Sequence, residues 1–354
     1  MMEVWTKGNN VWRQLEFSPS SSSFGKAGLS KAADEEGRNE GEDEEGEERE
    51  PRDLDVYGKV FEAEGMEWVR SDGFGCIVKY NSSSYAIAGS PTPFLLLSLE
   101  EGNVGRHQNA LVERHAEALK RNGMDKGWAV SGTGMVVDTT GTRTQLPLSL
   151  SHSPTTLTFP PPLSLPEDTT LITAGTTHFA ALTASGILYT WGDPRHPSPL
   201  GRHCSSSSSN SSDDMPADEP GVVTALEGIP GGGVVKVVAG GYVTAVLTGE
   251  GGCYVTDGGT GEVECVEFDV VDVAVWEGGV GVLDMEGGWW VRGSTEKGSE
   301  GGGDEGKGEE SEGGWRRVDL SGVLGEEGRV REVFGGEKAS FLVVERDVRG
   351  PRLL

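Results

Sequence analysis

Several stretches of this sequence hold residue types whose spacing could do chemistry. "HPSPLGRHC" gathers His196, His203 and Cys204 into nine residues, a nitrogen and sulfur set of the kind that takes zinc. The intervals match no zinc-ligand pattern, and two prolines leave the loop little freedom to wrap an ion. "GGGVVKVVAGG" (231–241) and "GEGGCYVTDGGTG" (249–261) are glycine-rich like phosphate-cradling loops, yet neither sets Gly-Lys-Ser/Thr ahead of a helix. Ser, His and Asp can be picked as a triplet from so serine-rich a chain, but no nucleophile elbow surrounds any serine. The acidic tracts 34–50 and 296–312 lack the alternating ligands and closing glutamate of a calcium loop. They read as solvated, self-repelling coil, or as bait for a basic partner. "FPPPLSLPED" (159–168) is either a PxxP ligand or an extended connector. The chain is therefore expected to be no enzyme, with no catalytic, cofactor-binding or metal-ligating residue and no cofactor.

Composition narrows the class of protein that remains. The chain has 354 residues, 35% of them hydrophobic, and 55 glycines with no Gly-X-Y period. Frequent glycine between short apolar runs suits an all-β protein rich in turns. The formal net charge is −27, concentrated in the two tracts: 34–50 holds 11 acids against 2 bases, and 296–312 holds 7 against 2. No basic stripe is left for phosphate backbones, so direct nucleic-acid binding is not expected. Four cysteines without CxxC spacing fit free thiols in a reducing compartment. With no apolar leader and no run long enough for a membrane span, the expected setting is cytoplasmic or nuclear, as a monomer with protein partners and no membrane contact.

The elements that would hold these residues emerge as repeats. "AGTTHFAALTASG" (174–186) aligns without a gap to "AGGYVTAVLTGEG" (239–251). "VWEGGVGVLDMEGGWWVRG" (275–293) follows the same frame, with Leu283 opposite Leu182, Gly287 opposite Gly186 and Trp290 opposite Tyr189. "RSDGFGCIVKYNSSSYAIAG" (70–89) aligns with Val78 opposite Leu182 and Tyr85 opposite Tyr189. The last copy, "FGGEKASFLVVE" (334–345), supplies one strand only, and "MEVWTKGNNVWRQL" (2–15) looks like its missing half. A propeller whose N-terminal strand completes the C-terminal blade would join the two and leave no open edge. Between 90 and 166 the pattern weakens: "NALVERHAEALKR" (109–121) is a short inserted helix or a degenerate strand, and "GWAVSGTGMVVDTTG" (127–141) is two strands.

The repeat has a physical content of its own. Glycine after Ala174 and after Ala239 permits a turn that a side chain would strain. Ala180 and Ala181 suit a crowded centre, and Tyr189, Tyr254 and Trp290 would fill the wider space between blades. In the same frame His178 gives way to Val243, Gly279 and Lys338, which marks it as structural. The structural repeat set is thus Ala174, Gly175, His178, Leu182, Gly186, Tyr189, Trp191 and Gly192, then Ala239, Gly240, Leu247 and Gly251, then Leu283, Gly287 and Trp290.

The best copy, "AGTTHFAALTASGILYTWGDPRHPSPLGR", resembles the repeat of the regulator of chromosome condensation family. Ala174, Gly175, His178, Leu182, Gly186, Leu188, Tyr189, Trp191, Gly192, Leu200 and Gly201 occupy its places. The chain is similar to small, divergent members of the alpha-tubulin suppressor or single-domain scaffold type. The resemblance implies a seven-bladed propeller, with a degenerate blade within 90–166. The expected division is a closing strand at 1–17, a disordered acidic insertion at 18–55, and a propeller body at 56–354 with disordered insertions at about 204–220 and 296–313. By analogy of fold the resemblance implies a non-enzymatic scaffold or regulatory adaptor, partnered by a modifying enzyme for example. The alternative is a guanine-nucleotide exchange factor for a Ran-like small GTPase.

Overall fold

A computed structural model of the chain describes residues 1–10, 15–17, 53–71, 74–82, 84–89, 95, 127–145, 159–204, 215–226, 233–256, 262–293, 314–325, 327–336 and 338–346. The 109–121 segment and most of each acidic or serine-rich tract lie outside the described residues. No described helix is long and apolar enough to cross a membrane.

Short apolar runs separated by glycine turns form antiparallel sheets, as period-two patterning requires. Blade 1 holds β3 (Met66–Ser71), β4 (Gly75–Tyr80) and β5 (Ser84–Gly89). Blade 2 holds β6 (Trp128–Val130), β7 (Met135–Asp138) and β8 (Arg143–Gln145). Blade 3 holds β9 (Thr169–Ala174), β10 (His178–Thr183), β11 (Leu188–Gly192) and β12 (Gly221–Val222). Blade 4 holds β13 (Val234–Gly240), β14 (Val243–Thr248), β15 (Cys253–Thr256) and β16 (Val263–Cys265). Blade 5 holds β17 (Val270–Trp276), β18 (Gly279–Asp284), β19 (Trp289–Gly293) and β20 (Arg316–Val318), followed by the single helical turn α1 (Ser321–Leu324).

Blade 6 joins the two ends of the described chain. Its order is β2 (Leu54–Ala63), β1 (Met2–Gly8), β22 (Ala339–Arg346), β21 (Gly328–Gly335). Strand β1 pairs with β22 from Met2↔Glu345 to Gly8↔Ala339. Buried Glu3 accepts hydrogen bonds from Trp5 Nε1 and Arg346 Nε, each at 2.8 Å. Burial works to raise the Glu3 pKa, but those two donors and the nearby Lys59 outweigh it and hold it below the usual carboxylate range.

The described residues form six sheets, so the expectation of seven blades is corrected. Residues 127–145 supply one blade, and the described part of 90–166 contains no further sheet. First strands β6, β9, β13, β17 and β21 pack side by side in that order, which makes them the innermost. Ala180 and Ala181, expected at the centre, lie one strand further out. There Ala181 packs towards blade 2 and Ala180 towards blade 4. Leu182, Leu247 and Leu283 each fill the interface to the following blade.

Strand pairing also corrects two alignments. The residue eleven positions before Leu182, Leu247 and Leu283 pairs with it across the first two strands, namely Leu171, Lys236 and Asp272. In blade 1 that partner of Trp68 is Lys79 rather than Val78, and in blade 6 the partner of Glu332 is Val343. The position of His178 therefore falls on Ala339 in the last copy, not on Lys338. The turn bonds agree, because Gly175 N donates to His178 O as Gly336 N donates to Ala339 O.

Candidate interaction surface

Blades 2 to 5 each have two kinds of turn, which antiparallel order puts at opposite ends of the propeller, and blade 6, whose third strand is β1, has the first kind alone. At one end lie the turns from first to second strand, which carry the Ala-Gly and Gly-Gly pairs. Gly175 and Gly240 lie outside the positive-φ region, so the turn-conformation explanation fails for them. Close approach explains them instead. A Cβ on Gly240 would sit 2.7 Å from Val275 O of the next blade, and one on Gly175 would strike the His178 ring and lie 2.8 Å from Gly241 O. Gly335 abuts Val275 O in the same way. Backbone hydrogen bonds cross between blades here, from Gly132 N to Gly175 O at 3.2 Å and from Thr176 N to Gly241 O at 2.8 Å.

At the other end lie the turns from second to third strand. Gly186, Gly251 and Gly287 all have φ between +81° and +88°, where glycine is the residue that fits without strain. The residue three before each caps the turn: Thr183 Oγ1 accepts from Ile187 N, Thr248 Oγ1 from Gly252 N, and Asp284 Oδ1 from Gly288 N. At this same end, five of the six first strands carry a β-bulge at one shared position, which adds Glu67, Thr170, Val235, Val271 or Arg331.

The residues that looked chemical at first sight are committed to packing. His178 is fully buried, and its Nε2 lies 2.8 Å from Thr244 Oγ1 on blade 4. Its Nδ1 is buried without a hydrogen-bond partner. Burial pushes its pKa down to about 4, so the ring is neutral near pH 7. Trp191 stacks on Phe179 at 5.4 Å, and Gly192 lets the strand pass against Thr177 O. Tyr189, Tyr254 and Trp290 each pack towards the preceding blade, and Trp290 Nε1 donates to Asp284 Oδ2 at 2.7 Å. Ala174 and Ala239 pair with Phe179 and Thr244 beside the first turns.

The candidate zinc loop divides in the same manner. Leu200 is buried with its carbonyl held by Thr190 Oγ1, while His196 lies against Tyr242 of blade 4 with ring centroids 5.5 Å apart. The guanidinium of Arg202 binds the carbonyls of Thr190, Met215, Pro216 and Glu219 and so pins the base of the serine-rich segment. Leu163 and Leu165 of the proline-rich stretch pack between blades 2 and 3, the behaviour of a connector.

Three features escaped the sequence. Asp272 Oδ1 pairs with Lys236 of blade 4, while its Oδ2 accepts from Val333 N of blade 6 at 2.8 Å, so one carboxylate joins three first strands. The opposite charges stand eleven residues before Leu247 and Leu283, a signal visible once the repeats are aligned. Tyr57 on outer strand β2 accepts from Trp289 Nε1 and meets Ser340 Oγ, both at 2.8 Å, which locks blade 6 to blade 5. Burial raises the Tyr57 pKa to about 12. Beside that lock an open groove of about 390 Å³ runs past Gly287, Trp289, Arg317, Leu320 and Leu324. The third feature is the set of exposed apolar residues at the bulged end, Val235, Val271 and Met285.

No family model and no curated protein matches the sequence. Among solved structures the chain is similar to β-propellers of the RCC1 type. Human WBSCR16 aligns at 15% identity over 97% of this chain and 81% of that one, with a TM-score of 0.47. Yeast RCC1 (Prp20), solved with Kap60, aligns at 14% identity over 61% and 52%, with a TM-score of 0.42. Prp20p from Saccharomyces cerevisiae in a second structure aligns at 13% identity over 84% and 60%, with a TM-score of 0.38.

Proposed function

We propose that the chain is a non-catalytic protein-interaction scaffold whose binding groups are the exposed ends and loops of the propeller. The observation that carries this reading is the fate of the polar residues. Asp272, Lys236, Tyr57 and Asp284 bond neighbouring blades or their own turns, as His178 does through Nε2, and such bonding ties the blades together. A rigid frame that holds many loops apart is suited to recognition.

The test is affinity purification of the full chain from cell extract, followed by reconstitution with the recovered protein. Stoichiometric association without chemical change in either partner supports the reading. Accelerated nucleotide release from a recovered small GTPase would replace it with the exchange-factor function. Failure of any protein to co-purify after crosslinking would overturn it.

A further inference from the structure

The bulged end of blades 3 to 5 combines two properties. The first is apolar exposure. Val235 and Val271 are the extra residues of their bulges and are 58% and 47% exposed, with Leu171 at 39% in the aligned strand of blade 3. Met285 and Ile187, in the adjoining turns, are 70% and 40% exposed. These positions form one neighbourhood. A Cβ on Gly186 of blade 3 would lie 3.5 Å from Val234 N of blade 4, and Val270 N of blade 5 donates to Gly251 O of blade 4. The same bulge, repeated strand after strand, turns a side chain outward that an unbroken ladder would bury.

The second property is a surplus of negative charge, with Arg317 as the exposed cation in the groove beside Gly287. Glu167, Asp168, Glu250, Glu267, Asp269 and Glu286 are exposed in the same segments. Across 166–171, 184–187, 233–236, 248–252, 266–272 and 284–288 the single basic side chain is Lys236, and it is paired with Asp272.

We propose that this end is a docking surface for a segment of a partner protein that carries lysine or arginine alongside apolar anchors. The aliphatic anchors would cover Val235, Val271 and Met285, and the cations would meet the surrounding carboxylates. Charge excludes the other occupants: a second copy presents the same acids, the chain's own tracts 34–50 and 296–312 are acidic, and an anionic lipid surface is repelled. The inference rests on the scaffold reading and adds the face and the chemistry of the partner.

The probe is a fluorescent sixteen-residue peptide that alternates lysine with leucine, titrated into the full chain. Lysine–serine and glutamate–leucine peptides of equal length are the controls. Val235→Thr/Val271→Thr/Met285→Gln keeps strand propensity and charge while it removes the anchors' partners. It should weaken the lysine–leucine peptide by about tenfold or more. Glu250→Lys/Asp269→Lys/Glu286→Lys should do the same and also flatten the salt dependence. Equal binding by wild type and the anchor variant, or equal binding of the lysine–serine peptide, would reduce the effect to general acidity and overturn the proposal. Co-purification of natural partners that survives both variants would leave the scaffold reading intact and overturn this face alone.

Discussion

The two ends of the propeller are built from the same residue, glycine, used in opposite ways. At the end of the first-to-second turns, glycine lets backbones touch: Gly175, Gly240 and Gly335 stand where a Cβ would strike a neighbouring carbonyl or ring. At the bulged end, Gly287 has open space around it and is there for its φ of +82°. The first end is packed glycine against backbone, whereas the bulged end, crossed between blades by the Val270 N to Gly251 O hydrogen bond, also carries the exposed valines, methionine and acids. The difference teaches that a repeated letter does not imply a repeated job. Glycine serves close backbone approach at one end and a left-handed turn at the other, where bulges present side chains to solvent.

The largest expected effect breaks the closed end. Gly335→Ala drives a Cβ into Val275 O, a backbone atom that cannot rotate away. It should cost about 3 kcal/mol or more. Gly287→Ala at the open end meets no atom within 4 Å and should cost only about 1–2 kcal/mol for its left-handed backbone. Urea denaturation of the two variants measures the contrast, and equal costs would mean that the two ends are closed alike.

The next effect depends on pH and belongs to the buried contact between blades 3 and 4. His178 ordinarily titrates near 6.5, and in the fold near about 4 because of burial. Between those values the unfolded chain binds the extra proton. The stability is therefore complete above about pH 6.5 and falls as the pH drops towards 4, by about 3 kcal/mol in all. His178→Gln retains a donor for Thr244 but does not titrate. The difference between the two proteins' pH–stability curves isolates the histidine from the many carboxylates. Parallel curves would place its protonation outside the core.

Much of this architecture was legible in the sequence, because the period from Leu182 to Gly186 recurs at Leu247 to Gly251 and Leu283 to Gly287 and demands the same turn each time. The pairing of 2–8 with the last strand followed from a half repeat at each terminus. What stayed hidden depended on three dimensions. Gly175 and a turn glycine look alike in one copy, since only the neighbouring blade reveals that Gly241 O is 2.8 Å away. The bulge at Val235 and Val271 was invisible for a related reason. An extra residue in a valine run leaves the run intact while it turns one side chain to solvent. Blade number was the least legible quantity: a family resemblance carries a count of seven, whereas the described 127–145 segment folds as one short sheet.

The smallest expected effect sharpens the open end. Val235, Val271 and Met285 make their side chains available to solvent, so the Val235→Thr/Val271→Thr/Met285→Gln variant loses little burial. Its stability in urea should change by less than about 0.5 kcal/mol per site. The bulges themselves are set by backbone pairing to Thr248, Leu247, Asp284 and Leu283, which these substitutions leave in place. On the proposed docking surface, side chains that contribute little to stability are the ones available to a partner. A loss of several kcal/mol would instead make the three residues part of the core and return both ends to a common structural role.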